Sequence, residues 1–248
     1  MMEASSGSFA SSPGGERRFW MGATAFFGGI SFLKGFRWPG RWAATQAQVD
    51  YGEGFSKRGF FGSTATRLLQ LNHYDRFAVF STLLLLLLFV LIFRLALSSG
   101  LVTRLGDGQP LAIFAASYSI VFLTHLNGYL DIVLGVLTAS VLFVRNVRLR
   151  LALTIPVVVP ALLIHEEFLL VFLPLLLMSF VLQTWSGEER PWRTAVLLGT
   201  AGIALLALVV STELALHASL SRISSTAALA RLQLHADFPP CDRMFSTF

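Results

Sequence analysis

From Phe77 to Leu97 the chain carries one charged residue, Arg94, and six leucines in succession, Leu83 to Leu88, at its centre. Roughly 20 apolar residues in α-conformation are what it takes to cross the ~30 Å hydrocarbon layer of a bilayer, because only a helix satisfies its backbone polar groups from within. Arg94 lies close enough to the end of the run for its guanidinium to snorkel to the headgroups. The composition of the whole chain agrees. Hydrophobic residues make up 54% of the 248 and charged residues only 13%, and mean hydropathy is +0.67. A soluble domain would have about a quarter charged residues, and one soluble core cannot bury this much apolar surface. The expected fold is an all-α polytopic transmembrane bundle.

Further apolar runs follow the same logic. Phe19–Leu33, preceded by Arg17-Arg18, is short and weakened by Gly22, Gly28 and Gly29, and reads as a signal anchor. Leu111–Thr124, Leu130–Val144, Leu151–Ile164, Phe168–Trp185 and Thr194–Val210 complete a set of about six to seven spans. Several of these runs are only about 14 or 15 residues long, below a perpendicular span. Pro156, Pro160 and Pro174 therefore predict kinked or half-helices. The domain reading is a disordered tail over 1–18, rich in Ser, Gly and Pro toward its start, and a transmembrane helical domain over 19–210. Within the latter, 34–76 forms the first loop. An amphipathic interfacial helix and C-terminal tail occupy 211–248. No closing element ends the chain, which reads as one cut short.

The polar breaks between Leu111 and Trp185 alternate in chemistry. One is basic, with Arg145, Arg148 and Arg150; the others carry acids and histidines, His125 to Asp131 and His165-Glu166-Glu167. Arginines mark the cytoplasmic face and ionisable clusters gather opposite, which sets the N-terminus inside and both acidic breaks outside. The first loop runs against this rule, since 34–76 would place seven Lys/Arg outside. A net charge of +5 suggests nucleic acid in a soluble protein; here membrane lipids are the partner that fits, with no nucleic acid. The single cysteine, Cys241, excludes an intramolecular disulfide and any multi-cysteine metal cluster.

Three segments hold residues able to do chemistry. Asp50 to Gly62 packs acids, bases, glycines and aromatics together. Asp50 or Glu53 suits a general base, and Lys57 with Arg58 suits a phosphate. The plainer reading is an interfacial re-entrant turn whose basic pair meets headgroups. Asp131 opens an apolar run, where a carboxylate either caps the helix or faces an outer cleft. Three ionisable residues at His165-Glu166-Glu167 cannot all face lipid. His165 and Glu166 suit a divalent ion, Mg or Mn, beside a phosphate leaving group; otherwise the segment is a wet turn. No second histidine follows His165 at the zinc-protease spacing, and phosphate loops and serine elbows are absent.

The run Asp50-Tyr51-Gly52-Glu53-Gly54-Phe55-Ser56-Lys57-Arg58-Gly59 resembles the DYGxGFxxRG-type motif of a family of bacterial polytopic membrane proteins. In that family the motif follows the first span, and Asn-Gly-Tyr-Leu-Asp-like and His-Glu segments sit at helix ends. Asn127, Gly128, Tyr129 and Asp131, then His165 and Glu166, match these, so the resemblance covers roughly 45–185. The family is similar in layout to the GT-C class of glycosyltransferases. The resemblance implies an inner-membrane, multi-pass enzyme using a polyprenyl-phosphate-linked sugar at the outer face. Asp50, Glu53, Asp131 and Glu166 would then be the catalytic acids. A transporter or flippase, which would hold its polar residues at mid-membrane, and a non-catalytic membrane subunit are the competing readings.

Overall fold

The computed structural model describes residues 13–51, 59–98, 108–165 and 167–185, with short pieces at 211, 230, 233–234 and 236–238. Among these residues the secondary structure is helical throughout, with no strand. Helix α1 is Pro13–Gly35 and α2 is Arg41–Gln48. Gly59–Phe61, the π turn Gly62–Thr66 and Arg67–Leu69 run on as one segment, α3. Then come α4 (Tyr74–Ser98), α5 (Gln109–Ala116), α6 (Tyr118–His125), α7 (Leu130–Leu142) and α8 (Val147–Ile164). A second π turn, Phe168–Phe172, leads into Leu173–Trp185, and together they form α9.

Two of these helices, α4 and α8, are long and apolar enough to cross a membrane, and a third span arises only if α6 and α7 count as one. The fold is thus all-helical as expected, with two to three candidate spans among the described residues. Leu111–Thr124 is not one rod, because Ser117 takes an extended conformation, φ −74° and ψ 161°, and separates α5 from α6. Helix α1 starts at Pro13, inside the stretch read as a tail. Most of the described part of 34–76 is helical rather than loop. The expected span Thr194–Val210 lies outside the described residues, as does nearly all of the interfacial helix expected after 211.

Burial along α4 is one-sided. Phe77, Ala78, Ser81, Leu85, Leu88 and Phe89 face the protein at helical spacing. The opposite stripe, Val79, Leu83, Leu86, Leu87 and Val90, is at least 44% exposed. Each such side chain would gain about 1.5–3 kcal/mol on leaving water. An apolar stripe of this extent fits a hydrocarbon environment and not a solvated surface. The same pattern holds on α9, where Leu170, Val171, Leu175 and Met178 are exposed while Phe168, Leu173, Leu176 and Phe180 are buried.

The chain divides into two compact units, one of residues 1–36 and 96–125 and the other of 37–95 and 126–248. In the first, α1 packs along α5 and α6. Contact is close enough at Gly35 that a Cβ would collide with Thr124 Oγ1 and the Val121 carbonyl. In the second, Ala44 and Ala47 of α2, Phe61 of α3, Phe77 of α4, Leu130 and Leu134 of α7, Val158 and Ile164 of α8, and Phe168 and Leu176 of α9 share one core.

Arg150, on the first turn of α8, is only 8% exposed. Its Nε donates to the Val144 carbonyl at 2.7 Å and its Nη2 to the Leu142 carbonyl at 3.2 Å, while the guanidinium lies 5.9 Å from the centre of the Phe180 ring. A cation on carbonyls at the C-terminal end of α7 complements the helix dipole and the orphan acceptors there. Asn146 caps α8 itself, its Oδ1 accepting from the Arg148 and Leu149 N–H groups. The triple-arginine break is therefore a joint between two helices as well as a charged loop.

Candidate functional site

Asp131 lies in the first turn of α7, whose N-cap residue, Tyr129, supplies no side-chain cap. A carboxylate there is favoured by the positive end of the helix dipole. Helix α8 ends at Ile164, and His165 follows in extended conformation, φ −161° and ψ 134°. Ile164 and Phe168 are both anchored in the core, at 4% and 0% exposure. His165 and Glu167 are therefore held at a fixed break. The His165 N–H still donates to the Ala161 carbonyl at 3.0 Å, and the Phe168 N–H to the His165 carbonyl at 3.2 Å. The π turn of α9 begins directly afterwards, and such turns recur at functional sites.

This break brings His165 and Glu167 to Asp131, with one ligand atom from each of the three within 4.8 Å of the others. His165 is buried, Asp131 half-buried and Glu167 exposed, so the cluster has a solvent-facing and a protein-facing side. The Glu167 N–H donates to His165 Nδ1 at 3.2 Å. Two carboxylates at this separation repel by roughly 3 kcal/mol at an effective dielectric of 20, and a cation between them would offset that. One imidazole nitrogen and two carboxylates make a donor set a divalent ion can use.

Asp50 occupies a different setting. Its Oδ2 accepts from Arg67 Nη2 at 2.7 Å. The Tyr51 N–H donates to Ser63 Oγ at 3.0 Å, and the Thr66 hydroxyl donates to the Ala47 carbonyl at 2.6 Å. Gly62 is required, since a Cβ there would run into the Val49 carbonyl. Residues 47–51 are therefore fastened across the π turn of α3 by several polar contacts. Burial pushes the Tyr51 phenol above its ordinary range, keeping it a neutral hydroxyl at physiological pH. Glu53, Lys57, Arg58 and Glu166 lie outside the described residues.

Of the residues singled out by sequence, the structure gathers Asp131 and His165 and ties Asp50 to Arg67. Asn127 turns out to be an internal brace. It is 1% exposed, and its Nδ2 donates to the Arg37 carbonyl at 3.1 Å and to Thr82 Oγ1 at 3.2 Å. Glu167 joins the site with no role of its own in the sequence reading, its one signal being membership of the ionisable run His165-Glu166-Glu167, while Glu166, which was given a role, lies outside the described residues. Arg67 gave no comparable signal. Comparison with protein-family models, with curated proteins and with solved structures yields no match to this chain.

Proposed function

We propose that this chain is a membrane-embedded glycosyltransferase that takes a sugar from a polyprenyl-phosphate donor and works at the Asp131–His165–Glu167 centre. The observation that supports it is the convergence of two carboxylates and an imidazole at the ends of apolar helices. Ionisable groups in such a place are rarely there for stability alone. In this reading a carboxylate of the centre removes the proton of an acceptor hydroxyl, whose oxygen attacks the anomeric carbon. The bond from that carbon to the phosphate oxygen breaks, and the departing phosphate leaves with the electron pair. Lys57 and Arg58 offset its charge. Asp50, held by Arg67, keeps its segment in place beside the π turn of α3, with Glu53 on the same segment. The protein sits in the bacterial inner membrane with six to seven spans, and its acids face outward.

The test uses the full chain in proteoliposomes, supplied with polyprenyl-phosphate sugars radiolabelled in the sugar. Loss of label from the lipid phase with wild type is the expected result. Asp131→Asn should slow it by about 10²–10⁴-fold, the range for a lost general base. Equal rates for wild type and Asp131→Asn, or no donor consumed at all, would remove the enzyme reading. Movement of intact donor across the bilayer without cleavage would establish the flippase instead.

A further inference from the structure

We infer that Asp131, His165 and Glu167 together form a binding site for one divalent transition-metal ion of the manganese or zinc type, in preference to magnesium. The ligands differ from the His165–Glu166 pair that the sequence suggests. The inference deepens the proposed transferase, since it supplies a cation at the same centre, but the site is argued from its own geometry.

Two places in the chain contribute the ligands: Asp131 comes from the first turn of α7, and His165 and Glu167 from the break between α8 and α9. Their donor atoms already lie within 4.8 Å of one another, so that small side-chain movements bring them to the separations of about 3–4.4 Å that bonds of about 2.0–2.2 Å to one ion require. Ile164 and Phe168, immobile in the core, fix the break that carries two of the three. A second observation is the setting of the ring: the Glu167 N–H lies 3.2 Å from His165 Nδ1, which orients the imidazole at the break, and the ring is buried while Glu167 is exposed. An imidazole nitrogen beside carboxylate oxygens selects ions of intermediate softness, whereas magnesium favours oxygen ligands and retains its waters.

Loading has a local consequence. A cation on Nδ1 displaces the Glu167 N–H, while one on Nε2 moves the ring proton to Nδ1, facing that same N–H. Either way the 3.2 Å contact opens, and the α9 segment shifts at its first turn. Glu167 is exposed and so gives the ion a route in from solvent.

The experiment takes the purified full chain in detergent, stripped with EDTA, and titrates it with Mn²⁺ alone while following the free-ion EPR signal. One saturable Mn²⁺ per chain is expected, with nitrogen modulation of the bound ion from His165. Glu167→Gln, an exposed change that leaves the core alone, should weaken binding about 10–100-fold. His165→Ala should abolish the nitrogen modulation, and Mg²⁺ should displace Mn²⁺ only in large excess. No saturable uptake, or uptake untouched by Glu167→Gln, would overturn the site. The readout needs no sugar donor. A chain that binds Mn²⁺ but transfers nothing loses the transferase alone, and one that transfers but takes up no Mn²⁺ loses the metal site alone.

Discussion

Gly128 has φ +92°, and a Cβ there would stand 2.7 Å from Pro39 Cβ. Both facts forbid a side chain, the first through backbone strain and the second through overlap. Gly128→Ala should therefore cost about 1–3 kcal/mol. Gly29→Ala, where nothing lies within 4 Å, should be neutral or slightly stabilising, since alanine is the better helix former. Thermal unfolding in one detergent, with both variants side by side, checks this, and equal melting temperatures would contradict it. The neighbouring Asn127 shows how far residue type alone can be read. It was singled out only as a match to the family's Asn-Gly-Tyr-Leu-Asp-like segment, and its amide braces the backbone at Arg37 and the hydroxyl of Thr82. A buried asparagine and a catalytic one look alike in sequence, because both are polar groups between apolar runs. His165 was legible for the opposite reason: with two acids beside it, lipid exposure was too costly, and only a wet or coordinated setting remained.

Among the elements, α4 was the most legible, because an apolar run of that length has few alternatives. The break at Ser117 was not, since neither proline nor glycine announces it. The start of α4 hides a further contact that local sequence cannot reveal. Asp237 Oδ1 accepts from the Tyr74 N–H at 2.9 Å, and its Oδ2 lies 3.1 Å from His73 Nδ1. The Asp237 N–H donates to the Asn72 carbonyl at 3.4 Å, and Phe238 meets the Tyr74 ring edge-on. A residue 163 positions away thus caps the helix. Desolvation pushes the Asp237 carboxyl up, but hydrogen bonds from Tyr74 and His73, with the His73 charge, outweigh it and leave it below its ordinary value. A depressed carboxyl stabilises the fold above its unfolded value near 3.9, and that contribution is lost as pH falls through the lower folded value. The cap should hold near neutrality and release in strong acid. Asp237→Asn should release it at every pH, at a cost of a few tenths to about 1 kcal/mol given its exposure. Proteolysis of the C-terminal segment against pH reads this directly; identical digestion of both proteins at pH 7 would count against the cap.

At the scale of the whole molecule, the proposed orientation places the two ends of α8 on opposite sides of the membrane. In a Cys241→Ser background, Arg145→Cys should react with an impermeant maleimide only from the cytoplasmic side, and Glu167→Cys only from outside. Reaction of both from one side would mean that α8 does not cross. The general class was legible because hydropathy acts along the chain, residue by residue. The Asp131–His165–Glu167 meeting was not, because it depends on how α7, α8 and α9 fold back on one another. That folding back also sets a timetable for manufacture. The core joins Ala44 and Ala47, near the beginning, to Phe168 and Leu176, far downstream. A ribosome adding about 5–20 residues per second needs on the order of ten seconds to pass from one to the other. Until α7, α8 and α9 have each been made, α2 lacks the part of its core that they supply, so this core closes only when the last of these helices arrives.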